Sequence, residues 1–184
     1  DRYAALMGVS VSLLASGSRG NTAVVASSRT RILVDAGISC RETFKRMKAL
    51  GDDPHQLSAV LITHEHSDHI YGLATLAQKL NVPVFMTDAT YQAWRRALRN
   101  PDGTRPEIAR LEVFASGRNF CIGDISVTPF TIPHDAADPV GFTFRAEGVK
   151  LAFATDLGYV PPNICHHLLG CDVLVMESNH DLEM

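Results

Sequence analysis

The sequence has no long apolar run, no block of like charge and no closely spaced cysteine pair. A membrane-spanning helix needs about 20 consecutive apolar residues, so we predict no membrane partner. The 17 Lys and Arg residues are outnumbered by 20 Asp and Glu residues, and no basic stripe typical of nucleic-acid binding is present. A polyanionic substrate would therefore depend on metal ions or on a few local arginines.

The cysteines are few and widely separated, at Cys40, Cys121, Cys165 and Cys171. Their spacing excludes a zinc ribbon and a dithiol redox motif, both of which need CxxC pairs. We predict buried free thiols rather than a disulfide framework, and a reducing, cytoplasmic location.

What the sequence does have is enough apolar residues, 46% of 184, to bury one core, so we predict a single domain over 1–184. Apolar periodicity predicts short strands at about 9–15, 22–27, 31–35, 58–63, 83–86, 111–115, 119–122, 125–132, 140–146, 150–155 and 172–176. It predicts helices at about 40–50, 70–80, 88–99 and 161–169. This order indicates an α/β fold with two packed sheets and helices outside.

The segment Thr63–His69 carries three histidines and two carboxylates directly after the apolar strand Ala59–Ile62. A turn at a strand end can point His64 and His66 to one ion while Asp68 and His69 reach a second. The alternative is a solvated, histidine-rich turn. Mixed imidazole and carboxylate ligands suit Zn²⁺, Mn²⁺ or Fe, and Glu65 is expected to point away from the ions.

Three further residues follow apolar runs and are candidates for the same site. His134 is a candidate ligand, although a histidine in a loop has other roles, and Asp156 is a candidate bridging ligand that could instead cap the turn at Gly158. We expect Asp35 to order the histidine segment by hydrogen bonding rather than to bind an ion.

His64 to His69 match the HxHxDH signature in full, and the segments Val34–Gly37, Pro133–Ala136 and Ala154–Gly158 occur in the matching order. On these motifs the sequence resembles the metallo-β-lactamase superfamily. The resemblance implies a four-layer αββα sandwich in which His64, His66 and His134 hold one ion and Asp68 and His69 the other. It also implies that Asp156 bridges the ions and that a hydroxide between them is the nucleophile, so that Asp68 takes part in catalysis.

The motif SGSxGN at 16–21 and the segment Glu177–Asp181 extend the resemblance to the YycJ/VicX (WalJ) branch, which is linked to exonuclease-like hydrolysis. We expect Ser18, Gly20 and Asn21 to contact substrate, although glycine and serine also form ordinary turns. The branch has a further histidine ligand downstream, which implies that the last C-terminal elements are missing here and that the second ion binds weakly. His180 is a candidate catalytic proton donor ordered by Glu177, or an exposed residue at a strand end.

The leading functional prediction is a metal-dependent phosphodiesterase that acts on nucleic acid with two divalent ions, Zn or Mn, with Fe as a further option. One alternative keeps the ions but gives them a carbonyl substrate such as a thioester, lactone or β-lactam. Another is a non-catalytic metal-binding regulatory module, suggested by the missing downstream ligand. The sequence leaves the oligomeric state open.

Overall fold

The computed structural model describes residues 8–98 and 103–176 and contains two β-sheets. The first sheet has the spatial order β1 (Ser10–Ala15), β2 (Thr22–Ala26), β3 (Arg31–Val34), β4 (Ala59–Leu61), β5 (Val84–Met86) and β6 (Leu111–Val113). The second has the order β11 (Val173–Met176), β10 (Val149–Ala154), β9 (Val140–Ala146), β8 (Ile125–Thr131) and β7 (Phe120–Ile122). The helices are α1 (Cys40–Ala49), α2 (Ser67–Ile70), α3 (Leu73–Leu80), α4 (Asp88–Ala97) and α5 (Pro162–Leu168), with a 3₁₀ turn at Pro54–Gln56.

The strand directions bring several strand ends to one edge of each sheet. In the first sheet, β3, β4, β5 and β6 are mutually parallel, and helices α1 to α4 form the crossovers that parallel strands require. In the second sheet, β8 and β10 both run antiparallel to β9, so they are parallel to each other. The loops that follow β3, β4, β8 and β10 are the ones that carry the candidate ligands.

Three apolar cores define the layers. One core packs Met47, Leu76 and Trp94 of the helices against the first sheet. A second fills the space between the sheets with residues such as Phe142 and Phe144, and a third packs Ile164 of α5 against the second sheet. The order of layers is therefore helices, sheet, sheet, helix, and the predicted αββα arrangement is confirmed.

Helix boundaries follow the local sequence closely, with two differences. The Ser39 side chain accepts a hydrogen bond from the Glu42 N–H and caps α1 as its capping-box pattern predicts. For α4, whose predicted range begins at Asp88, the cap is Thr87 rather than Asp88, because the Thr87 hydroxyl accepts the Thr90 N–H. The helix predicted over 70–80 is confirmed for Leu73–Leu80 but begins late: α2 ends at Ile70, and the two helices are separated at Gly72, where a Cβ would lie 2.2 Å from the Ile38 carbonyl oxygen.

The prediction of buried thiols is right only for Cys40. All four cysteines are free, but Cys121 and Cys165 are exposed and Cys171 is half-buried. Cys121 lies on β7, the edge strand of the second sheet, and Cys165 lies on the outer helix α5, so neither position has a covering layer. Within residues 8–98 and 103–176, no helix has the length and apolar character needed to cross a bilayer.

A polar network joins the turns at the far end of the two sheets. The hydroxyls of Ser27 and Thr30, in the turn between β2 and β3, both donate to the Asp124 carboxylate in the turn between β7 and β8. The hydrogen bond from Thr30 is the main reason that the pKa of Asp124 lies below its ordinary value of 3.8. Gly123 permits this approach, because a Cβ there would lie 2.1 Å from the Thr30 hydroxyl oxygen.

Replacing Asp124 by asparagine is expected to lower stability at neutral pH and to flatten its acid dependence. A depressed carboxyl pKa stabilises the folded state above the unfolded value of 3.8, and this stabilisation is lost as pH falls through the folded pKa. The test is the urea midpoint of both proteins from pH 7 to pH 3. Parallel curves for the two proteins would show that Asp124 does not contribute.

Candidate metal centre

The candidate metal ligands lie in four loops at one edge of the sandwich. Residues 62–69 follow β4, and Asp35 follows the neighbouring parallel strand β3. His134 and Asp156 follow β8 and β10 of the other sheet. The two sheets are joined at this edge by the Val140 N–H, which donates to the Thr63 carbonyl oxygen at 3.1 Å. Contacts between the side chains of the four loops bring them together around His64 and His69.

A first group of donors consists of His64, His66 and His134, whose ring nitrogens lie within 4.8 Å of one another. The Nδ1 atom of His66 is 3.1 Å from His64 Nε2 and 3.1 Å from His134 Nε2. Such nitrogens fit a borderline-soft divalent cation such as Zn²⁺, which imidazole ligands commonly hold in sites with an open position.

A second group shares His64 and adds His69 and Asp156, again within 4.8 Å. The Asp156 Oδ2 atom lies 3.2 Å from His69 Nε2, and the Asp68 Oδ2 atom lies 3.5 Å from the same nitrogen. This mixture of imidazole nitrogen and carboxylate oxygen fits Zn²⁺, Mn²⁺ or Fe. The two groups are therefore adjacent and chemically suited to divalent metal ions.

Asp35 is buried and sets the protonation of two of these histidines. Its Oδ2 atom lies 2.8 Å from His69 Nδ1, so the Nδ1–H donates to it and Nε2 faces the candidate centre. The Thr63 hydroxyl lies 2.9 Å from Asp35 Oδ2 and 2.9 Å from His64 Nδ1. Because an ionised carboxylate only accepts, Thr63 donates to Asp35 and accepts from the His64 Nδ1–H, which leaves His64 Nε2 as the free lone pair.

Burial and neighbouring charge move the pKa values of these groups apart. Burial, followed by the nearby His69, lowers the pKa of His64 to about 3, so His64 is neutral at pH 7. Burial alone would lower the pKa of His69, but Asp35 and Asp156 outweigh it and raise the value to about 10. Burial raises the pKa of Asp156, whereas its hydrogen bond from His69 brings it well below the ordinary range.

Asp35 and Asp156 also share an unusual backbone conformation. Their φ angles are +59° and +58°, in the left-handed region that residues other than glycine rarely adopt. Each lies just after a buried strand, β3 or β10, and the turn directs its carboxylate toward His69. Strained turns of this kind are typical of functional sites.

Asn21 is the member of the 16–21 loop that reaches the candidate centre. Its Oδ1 atom accepts the Gly17 N–H at 2.9 Å, which fixes the orientation of the amide. The Nδ2 atom then donates to Asp68 Oδ2 at 3.0 Å and lies 3.1 Å from His69 Nε2. Asn21 was predicted to contact substrate, and its contacts here indicate that it positions Asp68.

Glu65 points away from the histidine nitrogens, as predicted, and instead holds the loop of His134. Its Oε1 atom accepts the Ala137 N–H at 2.7 Å, whereas Oε2 is buried without a hydrogen-bond partner among the described residues. This contact joins positions 72 residues apart. The only sequence signal for this contact is the presence of a carboxylate inside the histidine motif.

Replacing Glu65 by alanine is expected to weaken metal binding by about tenfold, because the loop that carries His134 loses its bond to Glu65. This is the lower end of the 10- to 100-fold cost of removing a hydrogen bond made to a ligand itself, since Glu65 bonds to the Ala137 N–H and not to a ligand. Glu65→Gln keeps the accepting Oε1 atom and should restore most of the affinity. Zinc affinity, measured by competition with a chromophoric chelator, tests both. Asp138→Ala, in the same loop, is the control, and equal affinities for Glu65→Ala and this control would contradict the assigned role.

The remaining predicted residues lie elsewhere. Ser18 and Gly20 line a cavity next to Asn21, while Glu177 and His180 fall outside the described residues. Sequence reasoning did not single out Thr63, whose hydroxyl links Asp35 to His64. Its position at a strand end, directly before the first histidine, is a signal that could have identified it. Of the other histidines that the structure describes, none belongs to either donor group: His55 packs edge-on against Phe44, and His167 stacks on Phe130.

Comparison with known families decides the family of this chain. A model of the beta-lactamase superfamily domain matches residues 30–184, which include every candidate ligand. The chain belongs to the metallo-β-lactamase superfamily. The four-layer fold and the HxHxDH resemblance predicted from the sequence are thereby confirmed, and the superfamily's fold is one that binds divalent metal ions.

Relatives within the superfamily include nucleases. The chain is 39% identical over 178 residues to exodeoxyribonuclease YycJ of Bacillus anthracis, covering 97% of this chain and 66% of that protein. It is 34% identical over 180 residues to exodeoxyribonuclease WalJ of Streptococcus pneumoniae serotype 2 strain D39, covering 97% and 65%. The chain thus spans just under two thirds of the length of these curated relatives.

Solved structures of similar fold include metallo-β-lactamases. A B3 metallo-β-lactamase described as having an active-site glutamic acid superposes with a TM-score of 0.68 at 22% identity, covering 90% of this chain and 74% of that one. At this identity the likeness establishes the fold and leaves the substrate open.

Proposed function

We propose that this chain carries the catalytic centre of a metal-dependent phosphodiesterase that hydrolyses DNA in the manner of an exonuclease. The observation that carries the proposal is the pair of adjacent donor groups that share His64. The exodeoxyribonuclease names of the YycJ and WalJ relatives support a nucleic-acid substrate rather than a carbonyl compound.

In this proposal His64, His66 and His134 would hold one ion, Asp68 and His69 would hold a second, and Asp156 would contribute its carboxylate to the centre. Divalent ions bound in this way supply a nucleophile from water at neutral pH and neutralise charge on the attacking and leaving oxygens of a phosphodiester.

The protein's own groups prepare this site before substrate arrives. Asp35 and Thr63 hold His64 and His69 with Nε2 directed inward, so His64 would bind an ion as it stands and His69 would bind one on losing its Nε2 proton, without turning its ring. Asn21 holds the Asp68 carboxylate by a hydrogen bond from Nδ2 to Oδ2 at 3.0 Å. Ordering the ligands in advance reduces the free-energy cost of reaching the productive geometry.

The test combines elemental analysis of the purified chain with hydrolysis of bis(p-nitrophenyl) phosphate and of end-labelled single-stranded DNA, each with and without added Mn²⁺ or Zn²⁺. Bound metal together with metal-dependent release of nucleotides from one DNA end is the expected result. His64→Ala should abolish both, whereas His55→Ala, which replaces an exposed histidine outside the donor groups, should abolish neither.

Three outcomes would overturn the proposal, each in a different way. Turnover of thioester, lactone or β-lactam substrates without phosphodiester turnover would identify a carbonyl hydrolase. A metal-loaded chain inert toward every such substrate would indicate a metal-binding module. A chain that binds no divalent metal would remove the basis of the site.

A further inference from the structure

A cavity of about 310 Å³ lies beside the candidate metal centre, and none of the residues that line it has a role in the proposed mechanism. The loop at 16–20, which follows β1, forms one wall, and Ile38 and Arg46 form the other. Arg46 comes from helix α1, so two elements that are distant in sequence contribute to one concave surface.

The cavity carries positive charge and unused hydrogen-bond donors. Arg19 is exposed, and neither its guanidinium nor the hydroxyls of Ser16 and Ser18 have a partner in the part of the chain that the structure describes. Arg46 donates through Nη1 to the Leu14 carbonyl oxygen at 2.7 Å and lies 3.5 Å, through Nε, from Glu42. Glu42 does not line the cavity, whose charged side chains are both arginines.

The cavity is connected to the metal centre through the side chain of Asn21 and through close packing of the backbone at Gly20. The Gly17 N–H binds Asn21 Oδ1, and Asn21 Nδ2 binds Asp68. A Cβ at Gly20 would lie 2.8 Å from the Gly37 carbonyl oxygen, so this part of the loop packs directly on the segment that follows β3. The distance between the cavity and the candidate ligands is therefore set by the fold.

We propose that this cavity binds a backbone phosphate of single-stranded nucleic acid, next to the phosphate that is cleaved at the metal centre. The inference rests on the proposed phosphodiesterase function and names the groups that would hold its substrate. Guanidinium groups and hydroxyls recognise phosphate oxygens through charge-assisted hydrogen bonds. A chain with a net charge of −3 needs such a local positive site to bind a polyanion.

Fluorescence anisotropy with a fluorescein-labelled oligothymidylate tests the proposal, using the chain with and without bound metal. Arg19→Gln and Arg46→Gln are each expected to weaken binding by about tenfold, the effect of losing one charge-assisted hydrogen bond. Each should also reduce the slope of log affinity against log salt by about 0.7, the value for one phosphate contact on a single strand. Arg41→Gln, on the same helix but outside the cavity, removes the same charge and should change neither quantity.

Two further measurements keep the test decisive. Arg46→Gln also removes the hydrogen bond to Leu14, so the thermal stability of this variant is measured as well. Arg19→Gln breaks no described contact and therefore reports on the cavity without that complication. Equal losses of affinity in the Arg19, Arg46 and Arg41 variants would overturn the proposal. It would also be overturned if added inorganic phosphate did not displace the bound oligonucleotide. Selective loss of binding in a chain that hydrolyses no DNA would support the cavity and reject the phosphodiesterase.

Discussion

Replacing Asp35 by asparagine is expected to weaken metal binding by about 10- to 100-fold, the usual effect of removing a carboxylate that orients histidine ligands. Asp35 accepts from His69 directly and from His64 through the Thr63 hydroxyl. An asparagine offers one accepting oxygen and introduces an N–H₂ group that only donates. If that oxygen took the place of Oδ2, the N–H₂ group would face the Thr63 N–H, which donates to Oδ1 at 2.8 Å. In the opposite orientation the N–H₂ group would face the His69 Nδ1–H and the Thr63 hydroxyl, so either orientation disturbs the contacts that direct Nε2 of the histidines to the ion.

Zinc affinity by chelator competition measures this effect, and the absorption spectrum of the cobalt-substituted protein reports the ligand geometry separately. Asp52→Asn is the matched control, since Asp52 is a partly exposed carboxylate that pairs with Arg31 away from the centre. Thermal unfolding of the metal-free proteins separates loss of affinity from loss of the fold. A cobalt spectrum and an affinity equal to those of the unchanged protein would show that Asp35 does not orient the ligands.

The sequence predicted the strands and the ligand types because both depend on local pattern. Apolar runs such as Val140–Ala146 are buried on both faces, and the three histidines of one short segment lie together whatever the rest of the fold does. Contacts between distant segments left no such pattern. The hydrogen bond from Ala137 to Glu65 and the contribution of Arg46 to the cavity beside Arg19 depend on how the loops pack in three dimensions.

The errors have the same origin. The helix predicted over 70–80 is interrupted because the Gly72 N–H donates to the Ala36 carbonyl oxygen at 2.7 Å instead of to a helical partner, a contact that helical periodicity cannot report. Cys121 is exposed because it lies on the face of β7 opposite to its buried neighbour Ile122, and which face of a strand is covered is a tertiary property. Asp35 was expected to order the histidine segment, but only the packing shows that Gly37, two residues later, lies directly against the backbone of Asp68 and Asn21.

Gly37→Ala is expected to destabilise the fold by about 3 kcal/mol, the upper range for forcing extra atoms into a packed interior, and to abolish metal binding. A Cβ at Gly37 would lie 1.6 Å from the Asp68 carbonyl oxygen and 2.5 Å from the Asn21 nitrogen. Those two atoms form a 2.7 Å hydrogen bond, so the added methyl group would occupy the space of the bond itself. Because both overlapping atoms belong to the backbone, no rotation of a side chain can relieve the contact.

The consequence at the centre follows from what that hydrogen bond connects. Breaking it separates Asn21 from the segment that carries Asp68 and His69, and the Ala36 N–H, which donates to the His69 carbonyl oxygen at 2.7 Å, would move as well. Urea denaturation and zinc affinity test the two effects, with Gly8→Ala as a control at a position where a Cβ meets nothing within 4 Å. If Gly37→Ala unfolded at the same urea concentration as Gly8→Ala, the close approach of these loops would not exist in solution. If it lost stability but kept full zinc affinity, the loops would pack as described, while the ligands would be held by Asp35 and Thr63 alone.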